Sequence, residues 1–284
     1  MTSQNLNYYI FDYPPPIESS AVYNLISRGQ QNRAVRRLKA NPPPIVYAWP
    51  ATLFDGGPPS LRSHRVSRFV INNYTPFSVG KHIFYAKTKS LEQMGADALG
   101  LTIPDNRLTL DNKVFWMPHM RGLPLSWGKS FNSLVGALEH VTGLPKPTTL
   151  HHIDPLRKDR YKIKGLDPYF VFDFSDLNVK GDNAGLLMID VQSNIKPGQH
   201  ENMQVFWSNK LHGYKEEFSV RFDWSNGKML VPLDSVPSWL LGGKIMNLRI
   251  DLPSREGSVF TIKQASLWQR SEYSDDRSSG LKFR

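Results

Sequence analysis

The sequence contains no cysteine, which removes disulfides, thiolate metal sites and cysteine nucleophiles together, without fixing a redox compartment. No stretch approaches the roughly 20 consecutive apolar residues that a spanning helix needs. The first residues lack the basic start and continuous apolar core of a secretion signal, so the chain reads as soluble. Metal and nucleophile signatures are missing too. His151 and His152 are adjacent rather than on one face, and neither an HExxH nor a GxSxG spacing occurs. The glycines of residues 54–60 (FDGGPPS) stand without the spacing or the lysine of a phosphate-binding loop. Zinc is not expected. A structural calcium held by loop carboxylates and carbonyls, Asp167 or Asp182 among them, is compatible with the pattern, and no other cofactor is expected.

What the chain has is length, positive charge and alternation. Its 284 residues favour two domains over one. Thirty-five Lys and Arg against 25 Asp and Glu give a formal charge of +10. That admits nucleic acid, an anionic membrane surface or an acidic polymer as partners, beside the plain reading of good solubility.

The alternation is clearest over residues 203–252. Phe218, Val220, Phe222 and Trp224 alternate with Ser219, Arg221 and Asp223, and Met246, Leu248, Ile250 and Leu252 with Asn247, Arg249 and Asp251. The same period of two runs through Leu187, Ile189 and Val191 against Met188, Asp190 and Gln192. It returns at Met203, Val205 and Trp207 against Gln204, Phe206 and Ser208. Each strand should therefore carry one apolar face and one face of carboxylates, amides and guanidinium groups.

In chain order, residues 7–13 read as a strand ended by Pro14, Pro15 and Pro16, and residues 18–39 as two short helices broken at Gly29. Residues 45–49 (IVYAW) read as a buried strand, 63–74 as a helix and 82–87 as a strand, which together suggest a small α/β layer. A helix is expected over 131–142, ended by Gly143 and Pro145. Strands are expected over 167–174, 186–192, 203–207, 218–224, 228–233, 245–252 and 259–263, with Asn226-Gly227 the clearest hairpin signal. The expected organisation is an α/β region over 1–150, a basic linker over 151–165, an antiparallel β-sandwich over 166–270 and a flexible tail over 271–284.

Residues 60–87 (SLRSHRVSRFVINNYTPFSVGKHIFYAK), preceded by PPIVYAWP at 43–50, resemble the soluble extracytoplasmic C-terminal region of bacterial polytopic glycosyltransferases of the dolichyl-phosphate-mannose-dependent type. QVFW at 204–207, Trp239 and LRID at 248–251 are similar to jelly-roll modules of the galactose-binding and carbohydrate-binding kind. The resemblance implies a cell-envelope, extracytoplasmic or membrane-associated setting, although the residues alone do not exclude a cytoplasmic one. It also implies a glycan partner and association with a membrane glycosyltransferase. In such transferases acidic residues between membrane helices handle the lipid-linked donor; this chain has no such helices, and no catalytic residue carries over.

Three functions follow from the residues. Asp190, Gln204, Phe206, Arg221, Asp223, Arg249 and Asp251 combine an aromatic with amide, carboxylate and guanidinium groups, the set that recognises sugar hydroxyls. Trp207 and Trp224 fall in the core register, while Trp239, His212 and Tyr214 lie in connections that could line a rim. The first reading is thus a non-catalytic glycan-recognising or scaffold module. The second is a glycoside hydrolase or transferase using Asp190, Asp223 and Asp251 as acid and base, against which Arg221 and Arg249 stand as ion-pair partners. The third is a basic nucleic-acid-binding or phage-associated protein, with residues 33–39 and 157–164 as its contact surface.

Overall fold

The computed structural model describes residues 25, 27–48, 63–79, 82–87, 119–121, 123–124, 138–157, 159–195, 202–240 and 242–270. The chain divides into two compact units, Met1–Phe115 and Trp116–Arg284.

The described part of the first unit runs α1 (Arg28–Ala40), β1 (Ile45–Ala48), α2 (His64–Asn73), β2 (Thr75–Val79) and β3 (His82–Ala86). Ser27 starts α1 through a capping box, its side chain accepting from the Gln30 amide while the Gln30 side chain accepts from the Ser27 amide. The second of the two helices expected around Gly29 thus begins one residue before it, with Gly29 in the first turn, while residues 18–24 of the first lie outside the described residues. The cap has already fixed the backbone there, and an early glycine costs little. Ala34 and Leu38 of α1 are buried with Leu25 and with Val66 of α2. Gln31 is fully buried because its side-chain oxygen accepts from the Arg65 amide at 3.0 Å. The strands form an antiparallel sheet in the order β1-β3-β2. The strand expected over 7–13 and the loop over 54–60 lie outside the described residues.

The second unit is built on strands. A six-stranded sheet holds β4 (His119–Arg121), β13 (Ser219–Asp223), β12 (Asn202–Ser208), β15 (Asn247–Asp251), β10 (Tyr169–Asp173) and β7 (Thr149–His151), in that order. A seven-stranded sheet holds β5 (Leu123–Pro124), β14 (Gly227–Val231), β11 (Leu186–Ser193), β16 (Val259–Arg270), β9 (Arg160–Ile163) and β8 (Ile153–Arg157), with β6 (Leu138–Gly143) also paired to β16. Among the described strands of this unit every pairing is antiparallel except that of β13 with β4. The architecture is therefore α+β, with helices in the N-terminal unit and a β-rich C-terminal unit.

The inward residues are those the alternation selects. Met203, Val205, Trp207, Val220, Phe222, Leu248 and Ile250 from one sheet, and Leu187, Ile189, Val191, Met229 and Leu267 from the other, are all fully buried. Rings meet across the two layers: Trp224 lies 5.6 Å from Phe260 of β16, and Tyr161 of β9 lies 4.8 Å from Phe170 of β10, centroid to centroid.

Four expectations change. The stretch 151–165 is built into the sheets as parts of β7, β8 and β9. Ile153 and Ile163 point inward, while Arg157, Arg160, Lys162 and Lys164 stay at the surface, a charge load that suits strands near a sheet edge. Residues 138–143, expected to end a helix, are β6, held by pairing with β16; the rest of that expected helix lies outside the described residues. Asn226-Gly227 does turn the chain, with Gly227 at φ +106°. It carries the chain from one sheet to the other rather than closing a hairpin, since β13 and β14 lie in different sheets. Trp239 is no rim residue: it sits in α3 (Pro237–Leu240), is fully buried and donates from its indole nitrogen to the Ala184 carbonyl at 3.0 Å. It packs edge-on against Trp207 at 5.2 Å.

The backbone at Trp239 also fixes its neighbour. A Cβ on Gly181 would fall 1.7 Å from the Trp239 carbonyl oxygen, whereas one on Gly213 would meet nothing within 4 Å. Gly181→Ala is expected to destabilise the protein by about 1–3 kcal/mol or more through overpacking. Gly213→Ala should change stability by less than about 0.5 kcal/mol. Equilibrium urea unfolding of the two variants checks the difference.

Candidate glycan-binding face

Three neighbouring strands of the six-stranded sheet, β13, β12 and β15, bring most of the sequence-selected polar residues onto one face. Gln204 sits opposite Arg221 on one side and Asp251 on the other; Phe206 sits between Ser219 and Arg249; Asn202 is in register with Asp223. Strand β10 extends the same face, with Tyr169 opposite Asp251 and Val171 opposite Arg249. Beyond it, His151 of β7 is in register with Tyr169. Period-two patterning places all these residues together because a strand can hide only one of its two faces.

Asp190 is not among them. It belongs to β11 in the seven-stranded sheet, opposite Lys228 on one side and Gln264 on the other. The same rhythm occurs in both sheets, and local periodicity carries no information about which sheet a strand joins. The acid/base set of Asp190, Asp223 and Asp251 is therefore not assembled.

Arg249 organises the face. Its Nε and one terminal nitrogen donate to the two carboxylate oxygens of Asp251 at 2.6 and 2.7 Å, and the terminal nitrogen also reaches Asp167 at 3.2 Å. The guanidinium carbon lies 3.8 Å from the centroid of the Tyr169 ring and 5.1 Å from that of Phe206. His151 stacks on Tyr169 at 4.5 Å with an interplanar angle of 16°. A ladder of planar groups thus crosses four strands, combining cation–π attraction with a bidentate ion pair. Arg249 and Asp251 keep only 19% and 18% of their side chains exposed, so water screens this pair less than an ordinary surface pair.

A second network lies beside it. Arg221 donates from Nε to the Gln204 side-chain oxygen at 2.9 Å, and a terminal nitrogen stands 3.5 Å from Glu216. The Gln204 amide nitrogen donates to Glu216 at 3.0 Å and to the Ser219 hydroxyl at 2.9 Å. Glu216 belongs to a short 3-10 turn, Glu216–Phe218, in the connection between β12 and β13, so this connection reaches over the outer face of β12. Gln204 and Phe206 are consequently buried. Phe206, expected to offer a ring to a pyranose, spends its exposure on Arg249 and its neighbours instead. In the same connection Tyr214 keeps a buried hydroxyl without a hydrogen-bond partner, and burial pushes its phenol up to about 12. His212 stacks on Phe218 at 3.3 Å.

Between the two networks lies an open depression of about 370 Å³, lined by Asp167, Asn202, Gln204, Arg221, Asp251, Leu252, Pro253 and Ser254. Gln204, Arg221 and Asp251 of the expected set reach it; Phe206 and Arg249 are not in its lining. Asn202, Glu216 and Tyr169 were not singled out from the sequence, and Asp167 was named there only as a candidate calcium ligand. Asn202 and Tyr169 obey the strand alternation and were open to discovery that way, whereas Asp167 and Glu216 lie in connections where no period operates.

Among the described residues no group of three or more His, Asp or Glu comes together to hold a metal ion. None of their helices is long and apolar enough to cross a membrane. The cations of residues 33–39 and 157–164 fall in different units, and Lys164 pairs with Asp154 at 2.5 Å. Nothing among the described residues supports the nucleic-acid alternative.

Burial raises the Asp251 carboxyl above the usual carboxylate range, and Arg249 partly offsets that rise. A raised acid favours the protonated folded state, so its contribution to stability is full below the unfolded-state value and declines as pH rises through the folded one. Removing Arg249 removes the offset. Arg249→Gln is expected to move the Asp251 titration further up, read by carboxyl-carbon NMR. Its destabilisation should be small at acid pH and grow to about 1–3 kcal/mol once Asp251 is ionised, read by denaturant unfolding across pH.

No protein-family model matches the chain, and no curated protein does. Among solved structures, the low-affinity xylan-binding module CBM86 from the xylanolytic gut symbiont Roseburia intestinalis aligns with a TM-score of 0.34 at 10% sequence identity. The alignment covers 49% of this chain and 99% of that one.

Proposed function

We propose that the second unit is a non-catalytic glycan-recognising module, and that the depression beside Arg249 is its binding surface. The observation that supports this most is the lining itself. Amide, guanidinium, carboxylate and hydroxyl groups from β12, β13, β15 and the segments flanking β10 and β15 converge on one open hollow. Several of them are held in place by hydrogen bonds among themselves. Preorganised donors and acceptors of this kind match the alternating hydroxyls of a sugar chain. Both oxygens of Asp251 are engaged by Arg249, which favours recognition over acid/base work at that carboxylate. The two-sheet architecture is read, within the same proposal, as a jelly roll of the galactose-binding kind.

The affinity is low on this reading. The aromatic rings of the face are turned toward Arg249 and toward each other, so little stacking is left for a pyranose. With net hydrogen bonds contributing only about 1 kcal/mol each, a few of them give a Kd on the order of 1 mM.

Association with a cell-envelope glycosyltransferase, outside the cytoplasm, is part of the proposal. It rests on the resemblance of residues 60–87 and 43–50 to the extracytoplasmic region of such enzymes.

Calorimetric titration of the full chain with a panel of polysaccharides tests the reading. At least one is expected to bind, and Arg221→Ala, whose side chain is 46% exposed, should weaken that binding about tenfold or more through loss of a charge-assisted hydrogen bond. The melting temperature should fall by no more than a few degrees, because the buried Gln204 oxygen loses its Arg221 donor. Asp190→Ala, on the other sheet, should bind as the parent does. Binding that ignores Arg221 contradicts the assignment of the face.

A further inference from the structure

Building on the glycan reading above, we infer that the depression takes an uncharged glycan, one offering only hydroxyl and ring oxygens, and turns away polymers bearing carboxylate, sulfate or phosphate groups. This is the opposite of what the formal charge of +10 on the whole chain would suggest, and the reason is local.

Arg249 is already committed, and Arg221 is so in part. Arg249 gives its fork to Asp251 and a further contact to Asp167, and its guanidinium carbon has ring neighbours in Tyr169 and Phe206. Arg221 serves Gln204 and stands beside Glu216. An incoming anion could gain only the exposed end of Arg221, which lies beside the Glu216 carboxylate. It would also face the charges that remain, since the lining includes two carboxylates, Asp167 and Asp251, against the single guanidinium of Arg221. Like charges brought together near a protein surface repel by an amount well above thermal energy, and a misplaced like charge is an effective means of rejecting a partner.

The same groups suit a neutral sugar. Ionised carboxylates only accept hydrogen bonds, and each oxygen carries more than one lone pair. Asp167, with 57% of its side chain exposed, can accept from a sugar hydroxyl without leaving Arg249. The amide of Asn202 and the hydroxyl of Ser254 supply donors and acceptors of either sense. The positive charge of the chain lies elsewhere, on exposed residues such as Arg28, Arg33, Arg36, Arg37 and Lys39 of α1 in the other unit.

The test is affinity electrophoresis of the full chain at about 150 mM salt, a Debye length of about 8 Å. One gel series contains neutral polymers (unsubstituted xylan, mannan, mixed-linkage glucan) and the other acidic ones (polygalacturonate, alginate, heparin). Retardation specific to the face is the part lost in an Asn202→Ala, Arg221→Ala double variant. At least one neutral polymer is expected to show face-specific retardation at least tenfold stronger than any acidic polymer. Asp167→Asn should narrow that ratio by admitting acidic polymers. Acidic-polymer binding that the double variant leaves intact lies outside the face and agrees with the inference, provided neutral binding is lost. Face-specific binding of an acidic polymer equal to or stronger than that of every neutral one overturns the inference while leaving the glycan reading in place. Absence of face-specific binding in both series overturns both.

Discussion

The candidate face depends on one interaction, the clamping of Arg249 by the Tyr169 and Phe206 rings while its fork holds Asp251. A guanidinium on a half-buried sheet face would otherwise be mobile and costly to desolvate. Two ring neighbours and a carboxylate at its fork give it one position. That position sets where Asp251 and Asp167 present their remaining lone pairs and leaves a hollow toward Gln204 and Arg221. A strand slip of one residue would send Arg249 into the core and bring Leu248 or Ile250 out, so the clamp and the register specify each other.

Much of the second unit was legible because a period of two is a strong signal when one face is buried. The strands of residues 167–174, 186–192, 203–207, 218–224, 228–233 and 245–252 appear within a few residues of their expected places, and the one expected over 259–263 starts where expected but runs on to Arg270. Trp207 and Trp224 are buried as the register requires. Gln204, Phe206, Arg221, Arg249 and Asp251 share a face for the same reason. In the first unit the helix of residues 63–74 and the strands at 45 and 82 were likewise visible in their spacing.

What escaped was information that no local pattern carries. Asp190 has the same alternation as Asp251 but joins the other sheet, and strand order is decided by long-range pairing. Residues 151–165 looked like a linker because composition was weighed above pattern, although Ile153 and Ile163 marked the inward side. Asn226-Gly227 has the chemistry of a tight hairpin, yet the chain uses its φ freedom to change layers. Trp239 could not be placed because its burial depends on a short helix between strands and on the close approach of Gly181. Phe206 kept its expected face but not its expected role, since a connection folding back from β12 covers what alternation alone would leave open.

The central claim is that this hollow, and not another part of the chain, meets a sugar. The most direct measurement is a two-dimensional amide NMR titration of the full chain with a neutral oligosaccharide. The account predicts fast-exchange shifts confined to Asn202, Gln204, Arg221, Asp251 and their strand neighbours, with the first unit unmoved. Shifts centred on the outer face of β11 around Asp190, on α1, or nowhere at all would contradict it.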